Sequence, residues 1–231
     1  MILAAGRGTR LGDLGERQAK ALIEVGAEPL LARQLRYLGE HGVDRVIVNA
    51  SHLAEQLAGF AAEHHGPPEL DLVIEPEPLG TAGGAVNALP LFTGAPILVL
   101  YGDVLVTERI EPMIALHSKH RPVATLGVFY SEDASAKGVV ELSGSRVTAF
   151  HEKDPARRSG WANGGVYLVE PGWLAEWADH GPPLDFGFDL FPAALEKGRD
   201  LRAHRLERPV LDIGTPADLA RARERWSSLQ G

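Results

Sequence analysis

The residues best suited to chemistry stand at the start of the chain, where Ile2 and Leu3 begin an apolar run that turns into Gly6-Arg7-Gly8-Thr9-Arg10. Glycine carries no Cβ, so the backbone can turn sharply and pass close to a ligand. The amide N–H groups of such a turn can point at an anion, and the planar guanidinium of Arg10 can hold a phosphate through two donors. The pattern indicates a phosphate-binding loop, although a plain glycine turn with a surface arginine has the same local sequence.

Spacing excludes two common phosphate-binding motifs. The dinucleotide fingerprint needs a third glycine, but position 11 is Leu11 and Gly12 comes one residue late. A Walker loop needs Gly-Lys followed by Ser or Thr, which this loop lacks. A dehydrogenase is disfavoured further because no acidic ribose-binding residue stands in register.

Two aspartates follow apolar segments that read as strands. Asp103 comes after Tyr101-Gly102 at the end of the run Pro96–Leu100, and Asp212 follows Leu211 shortly before the last helix-like segment. Mg²⁺ is commonly held by one or two carboxylates together with substrate phosphates, so this pair suffices if the two converge. For Asp103, a loop-capping aspartate is the alternative.

A lysine and a second glycine-rich loop complete the candidate set. Lys20 lies between the first loop and the first helix-like segment, where it can fold back toward a phosphate bound by Arg10. Taken alone, such a lysine is more often a solvated surface residue. Residues 75–84 (EPEPLGTAGG) follow another strand-like run and place three glycines at a helix start. This loop can hold a flat base through backbone contacts, with the helix N-terminus adding positive potential.

Alternating strand and helix patterns must position these residues. The strand-like runs are Arg45–Asn49, Leu70–Ile74, Pro96–Leu100 and Val123–Phe129, and the helix-like segments are Leu30–His41, Leu53–Glu63, Gly83–Leu89 and Thr215–Leu229. The alternation predicts an α/β, Rossmann-like three-layer fold with a mostly parallel central sheet, whose ligands bind at the carboxyl ends of strands. Shorter strand patterns predict a small antiparallel extension from Gly138–Leu142, Val147–His151 and Gly165–Val169.

Composition narrows the function classes. The chain has no cysteine, which removes disulfides, thiolate metal sites and cysteine nucleophiles. Its formal net charge of -8 disfavours nucleic acid and anionic membranes as partners. No run approaches the roughly 20 apolar residues of a membrane span, and no leader pattern is present, so we expect a cytoplasmic protein. The sequence does not fix an oligomeric state, and a homo-oligomer stays open.

Taken in order, the motifs LAAGRGTRL, a lysine near position 20, EPLGTAGG, GDV, HEK, NGGVYL and LDIGTPADL resemble the sugar-1-phosphate nucleotidyltransferases. Within that family, the motifs resemble those of the short bacterial D-glycero-D-manno-heptose 1-phosphate guanylyltransferases. The resemblance runs from Ile2 to about Arg223 and implies a nucleoside triphosphate and a sugar 1-phosphate as substrates, with Mg²⁺ as cofactor. The sequence shows no repeat, low-complexity tract or linker, which predicts one compact domain over residues 1–231. We expect a nucleotide-binding half at about 1–110 and a sugar-phosphate-binding half at about 111–231.

The resemblance also implies roles for individual positions. The catalytic residues would be Arg10, Lys20 and Lys153, and the metal ligands would be Asp103 and Asp212. The nucleotide would be bound by Leu3, Ala4, Ala5, Gly6, Gly8, Thr9, Glu75, Gly80, Thr81 and Gly102. The sugar phosphate would be bound by Gly138, Glu152, Asn163 and Gly164. Ala19 and Ala21 flank Lys20 where the family usually places proline.

Base preference can be argued from Glu75, which stands where relatives that use thymidine or uridine nucleotides place a glutamine against the base. A carboxylate only accepts hydrogen bonds. Guanine offers a ring N–H and an amine side by side, whereas uracil and thymine flank one N–H with carbonyl oxygens. GTP is therefore favoured, and a solvent-facing Glu75 is the alternative.

The sugar is not readable from the sequence, although Trp161, Phe186, Phe188 and Asp189 fall in the expected acceptor region. Hexose- or N-acetylmuramate-1-phosphate uridylyl-, cytidylyl- or adenylyltransferases are near alternatives. A domain that senses a nucleotide sugar without turning it over is an alternative from another class. Such a sensor could lose Arg10, Lys20, Asp103 or Asp212 without penalty, and all four are present.

Overall fold

The structure is a computed structural model that describes residues 1–157, 159–208 and 210–229, with side chains to residue 227. The chain divides into two compact units. Unit 1 comprises Met1–Pro78, Tyr101–Thr107 and Val210–Gly231, and unit 2 comprises Leu79–Leu100 and Glu108–Pro209. The prediction of one domain over 1–231, with halves meeting near position 110, stays a prediction, and positions 158, 209, 230 and 231 lie outside the described residues.

Strands and helices alternate along the chain. The strands are β1 (Ile2–Leu3), β2 (Glu24–Val25), β3 (Glu28–Pro29), β4 (Arg45–Ala50), β5 (Glu69–Ile74), β6 (Ile97–Tyr101), β7 (Val104–Leu105), β8 (Ala124–Ser131), β9 (Gly138–Ser143), β10 (Arg146–Glu152), β11 (Gly160–Val169), β12 (Leu201–Arg205) and β13 (Leu211–Asp212). The helices are α1 (Asp13–Arg17), α2 (Leu30–Glu40), α3 (Ala54–Glu63), α4 (Thr81–Asn87), α5 (Glu111–His120), α6 (Pro171–Ala175), α7 (Phe191–Glu196) and α8 (Pro216–Leu229). Within the described residues, no helix is long and apolar enough to cross a membrane.

Unit 1 is built on a parallel sheet in the order β5-β4-β1. The central strand β4 is buried from Val46 to Ala50, as its apolar run Val46-Ile47-Val48 requires, and this stretch also buries the polar Asn49. Helix α2 buries Leu31, Leu35 and Leu38 and ends just before Gly42, which has a left-handed φ of 76°. Because the strands are parallel, the residues that follow β1, β4 and β5 lie at one edge of the sheet.

A short antiparallel ribbon, β7 with β13, adds a second element to unit 1. Leu105, Leu211 and Ile213 belong to a buried cluster that also includes residues of α2 and α8. Trp226 of α8 packs against this cluster, with the guanidinium carbon of Arg33 4.2 Å from its ring centre. The ribbon therefore packs against a buried apolar cluster, and this packing holds the residues at its ends in place.

Unit 2 is built on a mixed sheet in the order β6-β11-β8-β12-β10-β9. Among the pairings of its described residues, β8 and β12 run parallel and the other neighbours run antiparallel. The predicted antiparallel extension is confirmed as β9, β10 and β11, although β11 begins at Gly160 rather than Gly165. The core of the unit contains Tyr167, Phe186 and Phe191, all fully buried, with ring centres 5.1–5.6 Å apart.

Gly15 of α1 packs directly against the backbone of the first glycine loop at Gly8. A Cβ at Gly15 would lie 2.2 Å from the carbonyl oxygen of Gly8. We expect Gly15→Ala to lower the free energy of unfolding by about 1–3 kcal/mol, since one of the two backbones must move. Gly59→Ala is the matched control, because a Cβ there meets nothing within 4 Å in α3.

Urea denaturation of both variants measures the difference. The control is expected to be neutral or stabilised by up to about 1 kcal/mol, since alanine is the better helix former. Equal stability changes in the two variants would show that the Gly8–Gly15 contact does not constrain the loop.

Candidate functional site

The first glycine loop of unit 1 is shaped by backbone contacts on two sides. Gly8 has a left-handed φ of 64°, and its carbonyl oxygen accepts a hydrogen bond from Leu11 N–H at 2.9 Å. On the other side, Gly102 N–H donates to Leu3 O at 2.8 Å, and a Cβ at Gly102 would lie 2.7 Å from that oxygen. A Cβ at Gly6, by contrast, would meet nothing within 4 Å. The left-handed φ accounts for Gly8 and close packing accounts for Gly102, whereas the space beside Gly6 is open.

A cleft of about 420 Å³ lies beside this loop within unit 1. It is lined by Arg7, Thr9, Glu16, Ser51, His52, Pro76, Glu77 and Pro78. Of these, only Thr9 is among the sequence-predicted site residues. Ser51 and His52 could have been found from their position, since they directly follow the buried parallel strand β4.

Lys20 and Asp103 meet at the carboxyl end of β6. The ammonium of Lys20 forms an ion pair with Asp103 Oδ2, and the side chains are 13% and 24% exposed. Lys20 also lies beside the glycine loop, with its Cβ 3.8 Å from the position of a Cβ on Gly8. From the sequence we predicted that Lys20 contacts a phosphate. The structure shows in addition that Lys20 pairs with the Asp103 carboxylate, which the sequence did not predict.

Gln34 of α2 fixes the segment that carries Asp103, and sequence reasoning missed it. Its side-chain Nε2 donates to Tyr101 O at 2.8 Å and to Val104 O at 2.7 Å, on either side of Gly102-Asp103. The side chain is buried, with 1% of the residue exposed. Both amide protons are therefore committed to holding this turn in place.

Asp212 joins Asp103 through the β7–β13 ribbon. Asp212 pairs with Val104, and Ile213 N–H donates to Asp103 O at 3.0 Å. Asp212 Oδ1 accepts a hydrogen bond from Gly214 N–H. The position of a Cβ on Gly214 lies 2.7 Å from Asp212 Oδ1 and 3.1 Å from Arg10 Nη2. The ribbon thus brings the two aspartates, Arg10 and Lys20 to one region of unit 1.

The donor chemistry of this region fits a hard divalent cation. Within the described residues, no group of three or more His, Asp or Glu side chains has metal-binding geometry. Two carboxylates from neighbouring backbone are nevertheless enough for an ion such as Mg²⁺, which takes its remaining ligands from substrate phosphates and water. Asp103 and Asp212 are the residues that would hold it.

Glu75 directly follows β5 and is a buried carboxylate rather than a solvent-facing one, with 2% of the residue exposed. Its Oε1 accepts a hydrogen bond from Asn49 Nδ2 at 2.7 Å, and Asn49 Oδ1 accepts one from Ala4 N–H at 2.8 Å. Asn49 is itself 2% exposed. This chain of hydrogen bonds links Glu75 to the start of the glycine loop.

The part of the second glycine-rich loop from Leu79 onward belongs to unit 2 and packs on the segment that begins at Leu184. Gly80 has a φ of 86°, and a Cβ there would lie 2.2 Å from Leu184 O. That oxygen also accepts hydrogen bonds from the N–H groups of Ala82 and Gly83 at 3.0 and 3.1 Å. Thr81 Oγ1 donates to Asp185 Oδ2 at 2.8 Å. Close backbone packing thus accounts for Gly80, and the roles of Gly80 and Thr81 toward a nucleotide stay predictions.

Glu152 and Lys153 form a second charged group in unit 2. The Glu152 carboxylate lies against the backbones of Gly138 and Gly187, where a Cβ would come within 2.6 and 2.5 Å of Oε2. Lys153 has a left-handed φ of 51°, and its Nζ lies 3.8 Å from Glu152 Oε1 and 5.2 Å from the ring centre of Phe188. Both the Lys153 side chain, at 57%, and Phe188, at 55%, are well exposed.

Burial raises the pKa of the Glu152 carboxyl, while Lys153 lowers it and Asp185 raises it. A carboxyl with a raised pKa binds more protons in the folded protein, so stability falls as pH rises from the unfolded value of about 4.3 through the folded value. We expect Glu152→Gln to raise the melting temperature at about pH 7 and to leave it nearly unchanged near pH 4. Thermal unfolding at both pH values checks this, and an equal change at both would contradict it.

Asn163 and Gly164 lie where β11 departs from regular pairing with β8, between Asn163 and Tyr167. Asn163 Nδ2 donates to the Tyr167 hydroxyl at 2.7 Å, and its Oδ1 accepts from Gly165 N–H at 3.2 Å. Gly164 is buried. The irregularity fixes the Asn163 carboxamide, and its role toward a sugar stays a prediction.

Known proteins resemble this chain over nearly its whole length. A family model described as nucleotidyl transferase matches residues 1–228. The mannose-1-phosphate guanylyltransferase catalytic subunit beta of Danio rerio is 34% identical over 224 residues, covering 94% of this chain and 61% of that protein. The UTP–glucose-1-phosphate uridylyltransferase of Synechocystis is 28% identical over 249 residues, covering 100% of this chain and 62% of that protein.

A solved structure of HddC from Yersinia pseudotuberculosis complexed with GMP-PN superposes on this chain with a TM-score of 0.83 and 25% identity, covering 97% of both chains. This likeness confirms the predicted α/β fold. The chain spans only about three fifths of the length of the curated relatives it matches. Their names are those of sugar-1-phosphate guanylyl- and uridylyltransferases. The chain therefore belongs to the nucleotidyl transferase family.

Proposed function

We propose that the chain couples a nucleoside triphosphate to a sugar 1-phosphate, giving a nucleoside diphosphate sugar and pyrophosphate. The observation that carries the proposal is the group of Arg10, Lys20, Asp103 and Asp212 beside the glycine loop of unit 1. A sugar-phosphate oxygen forms a bond to the α-phosphorus, and the bond from that phosphorus to the bridging oxygen of pyrophosphate breaks. The nucleophile is already an anion, so the reaction requires no enzyme base.

The triphosphate is proposed to bind at the glycine loop of unit 1. Ala4 N–H is donated to Asn49 Oδ1, so within the loop from Leu3 to Thr9 the backbone N–H groups beyond Ala4 would hold its oxygens, together with the Arg10 guanidinium. The open space beside Gly6 admits a close approach. Lys20 would neutralise charge that develops on the α-phosphoryl group. Asp103 and Asp212 would hold Mg²⁺, which when bound would offset the negative charge of the phosphates.

The sugar phosphate is proposed to bind to residues of unit 2. Lys153 is exposed and cationic, which suits the phosphate, and the Glu152 carboxylate suits a sugar hydroxyl. The Glu152 carboxylate packs closely against the backbones of Gly138 and Gly187, and this packing restricts its position. Asn163 and Gly164 are the remaining proposed contacts.

GTP and a heptose 1-phosphate are the proposed substrates. The guanylyltransferase relatives and the HddC complex with GMP-PN support a guanine nucleotide, as does the acceptor-only chemistry of Glu75. The heptose rests on the sequence motifs, which resemble those of the heptose 1-phosphate guanylyltransferases. The uridylyltransferase relative makes UTP the main competitor. Because both substrates are small molecules of the cell interior, the proposal also includes a cytoplasmic location.

Pyrophosphate release with Mg²⁺ across a matrix of triphosphates and sugar 1-phosphates tests the proposal. We expect release with GTP and heptose 1-phosphate to exceed every other combination. Release with UTP or CTP while GTP is inert would refute the base assignment. No release from any combination, together with tight binding of a nucleotide sugar, would identify a sensor instead of an enzyme.

A further inference from the structure

We propose that Gln34 and Gln56 are positioning residues for the transfer reaction. Gln34 sets the Asp103 carboxylate for the divalent cation, and Gln56 sets the Lys20 ammonium for the phosphate. The inference rests on the proposed function, in which Asp103 and Lys20 have those roles. Neither glutamine touches a substrate in this account, and each acts through one member of the Lys20–Asp103 ion pair.

The turn that carries Asp103 is tied to helix α2 by one side chain. Gln34 Nε2 donates to Tyr101 O at 2.8 Å and to Val104 O at 2.7 Å. Because both partners are carbonyl oxygens, the atom that faces them must be the amide nitrogen. Gln34 is 1% exposed, so water does not compete readily for these hydrogen bonds. Gln34 therefore determines where the Asp103 backbone lies, and both of its amide protons are used on carbonyl groups rather than on the carboxylate.

The segment before Lys20 is tied to helix α3 in the same way. Gln56 Oε1 accepts a hydrogen bond from Ala19 N–H at 2.8 Å, and Gln56 Nε2 donates to Arg17 O at 2.8 Å. Since one partner is a donor and the other an acceptor, the carboxamide can be oriented in only one way. Ala19 directly precedes Lys20 and is 4% exposed. Gln56 thus fixes a buried backbone group from which the lysine side chain starts.

The two charged residues are therefore held from two different helices, and the effects of the two glutamines are separable. Loss of a group that orients a metal ligand commonly lowers metal affinity about 10- to 100-fold. Displacement of a positioned group by about 1 Å can lower a rate about 100-fold. Loss of Gln34 is thus expected to weaken metal binding, whereas loss of Gln56 is expected to lower turnover without weakening metal binding.

Gln34→Met and Gln56→Ala test this separation through two readouts. One is binding of Mn²⁺ to the protein with GTP, followed by electron paramagnetic resonance, and the other is kcat for pyrophosphate release. We expect Gln34→Met to weaken Mn²⁺ binding by about tenfold or more. We expect Gln56→Ala to leave Mn²⁺ binding unchanged and to lower kcat by about tenfold or more. The same pattern of change in both variants would overturn the assignment.

Glu40→Ala and Glu63→Ala are the matched controls, at the exposed last residues of α2 and α3. Both are expected to leave the two readouts unchanged. All measurements are made at a temperature at which circular dichroism shows each variant to be folded, so that a lower stability alone does not change kcat.

The backbone at Ala19 provides a rescue experiment for Gln56. Ala19 has a φ of −55°, which a proline adopts, and the preceding Gln18 is extended, as a residue before proline must be. Ala19→Pro would restrict the segment without the N–H that Gln56 accepts. We expect Ala19→Pro to restore most of the kcat lost in Gln56→Ala. A restored melting temperature without restored kcat would show that Gln56 only stabilises the fold.

Two double variants decide the question if the proline variant does not fold. A residue that acts only through Lys20 has no effect once the lysine is gone, so Gln56→Ala should lower kcat no further in a Lys20→Met background. Likewise, Gln34→Met should weaken Mn²⁺ binding no further in an Asp103→Asn background. A further loss as large as in the unaltered chain would overturn the inference for that glutamine.

Failure of the proposed function is a separate result. The unaltered chain would then release no pyrophosphate with any pair of substrates. The Mn²⁺ measurements on the Gln34 and Asp103 variants would still show whether Gln34 positions the carboxylate, since they need no turnover.

Discussion

Replacement of Asp103 by asparagine is expected to lower kcat by about 100- to 1,000-fold, with the fold retained. The change preserves shape but removes the charge that faces Lys20 and that would hold the divalent cation. The turn itself should survive, because Gln34 holds it through the backbone carbonyls of Tyr101 and Val104 rather than through the carboxylate. Steady-state pyrophosphate release at saturating GTP and sugar phosphate, with a thermal unfolding curve, measures both expectations.

Asp71→Asn is the matched control for this loss. Asp71 is an aspartate of the same unit that pairs with Arg45, and its side chain is 45% exposed. We expect this variant to turn over at nearly the unaltered rate, since an exposed ion pair contributes little. Unchanged turnover in the Asp103 variant would remove Asp103 from the metal site and from the catalytic account.

Replacement of Lys20 by methionine is expected to lower kcat by about 100-fold or more, for a different reason. The lysine is the cation proposed to neutralise charge on the α-phosphoryl group, while Asp103 would remain available to the metal. Binding of Mn²⁺ together with a triphosphate, followed by electron paramagnetic resonance, separates the two variants. We expect Asp103→Asn to weaken Mn²⁺ binding and Lys20→Met to preserve it.

Lys119→Met, at an exposed position of α5, controls for the loss of a lysine charge and should leave turnover unchanged. Combining the two active-site changes gives a further readout. Because Lys20 and Asp103 are in direct contact, we expect the loss in the double variant to be smaller than the product of the two single losses. A multiplicative loss would mean that the two side chains act independently.

The parts of the fold that sequence predicts well are those with a strong local pattern. Strand β4 has a mostly apolar sequence because it is buried on both faces, and its predicted bounds differ from the observed ones by one residue. The aspartates at 103 and 212 were found in the same way, since each follows an apolar strand or segment. Helix α5 was missed because its burial is limited to Met113 and His117, which leaves little amphipathic pattern to read.

The residues that sequence reasoning missed act across long separations in the chain. Gln34 holds carbonyls at positions 101 and 104, and Asn49 connects positions 4 and 75. Gly15 is an ordinary helix residue until its contact with Gly8 is known. None of these contacts has a local signature, because each depends on which strands and helices become neighbours.

The second glycine-rich loop shows a different limit of local reasoning. Three glycines near a helix start indicate that something approaches the backbone closely, and the sequence analysis assigned that role to a nucleotide base. Within unit 2, the approaching group at Gly80 is the backbone at Leu184. A glycine in the sequence therefore indicates that another group comes close to the backbone, but it does not show whether that group is a ligand or another part of the protein.

The central claim is transfer of a nucleotidyl group, and the fate of a labelled phosphate tests it most directly. With GTP labelled at the α-phosphate, Mg²⁺ and a heptose 1-phosphate, we expect the label to appear in a nucleoside diphosphate sugar. With GTP labelled at the γ-phosphate, we expect it to leave entirely as pyrophosphate. Label released as orthophosphate, or α-label that never enters a sugar nucleotide with any triphosphate or sugar phosphate supplied, would contradict the account.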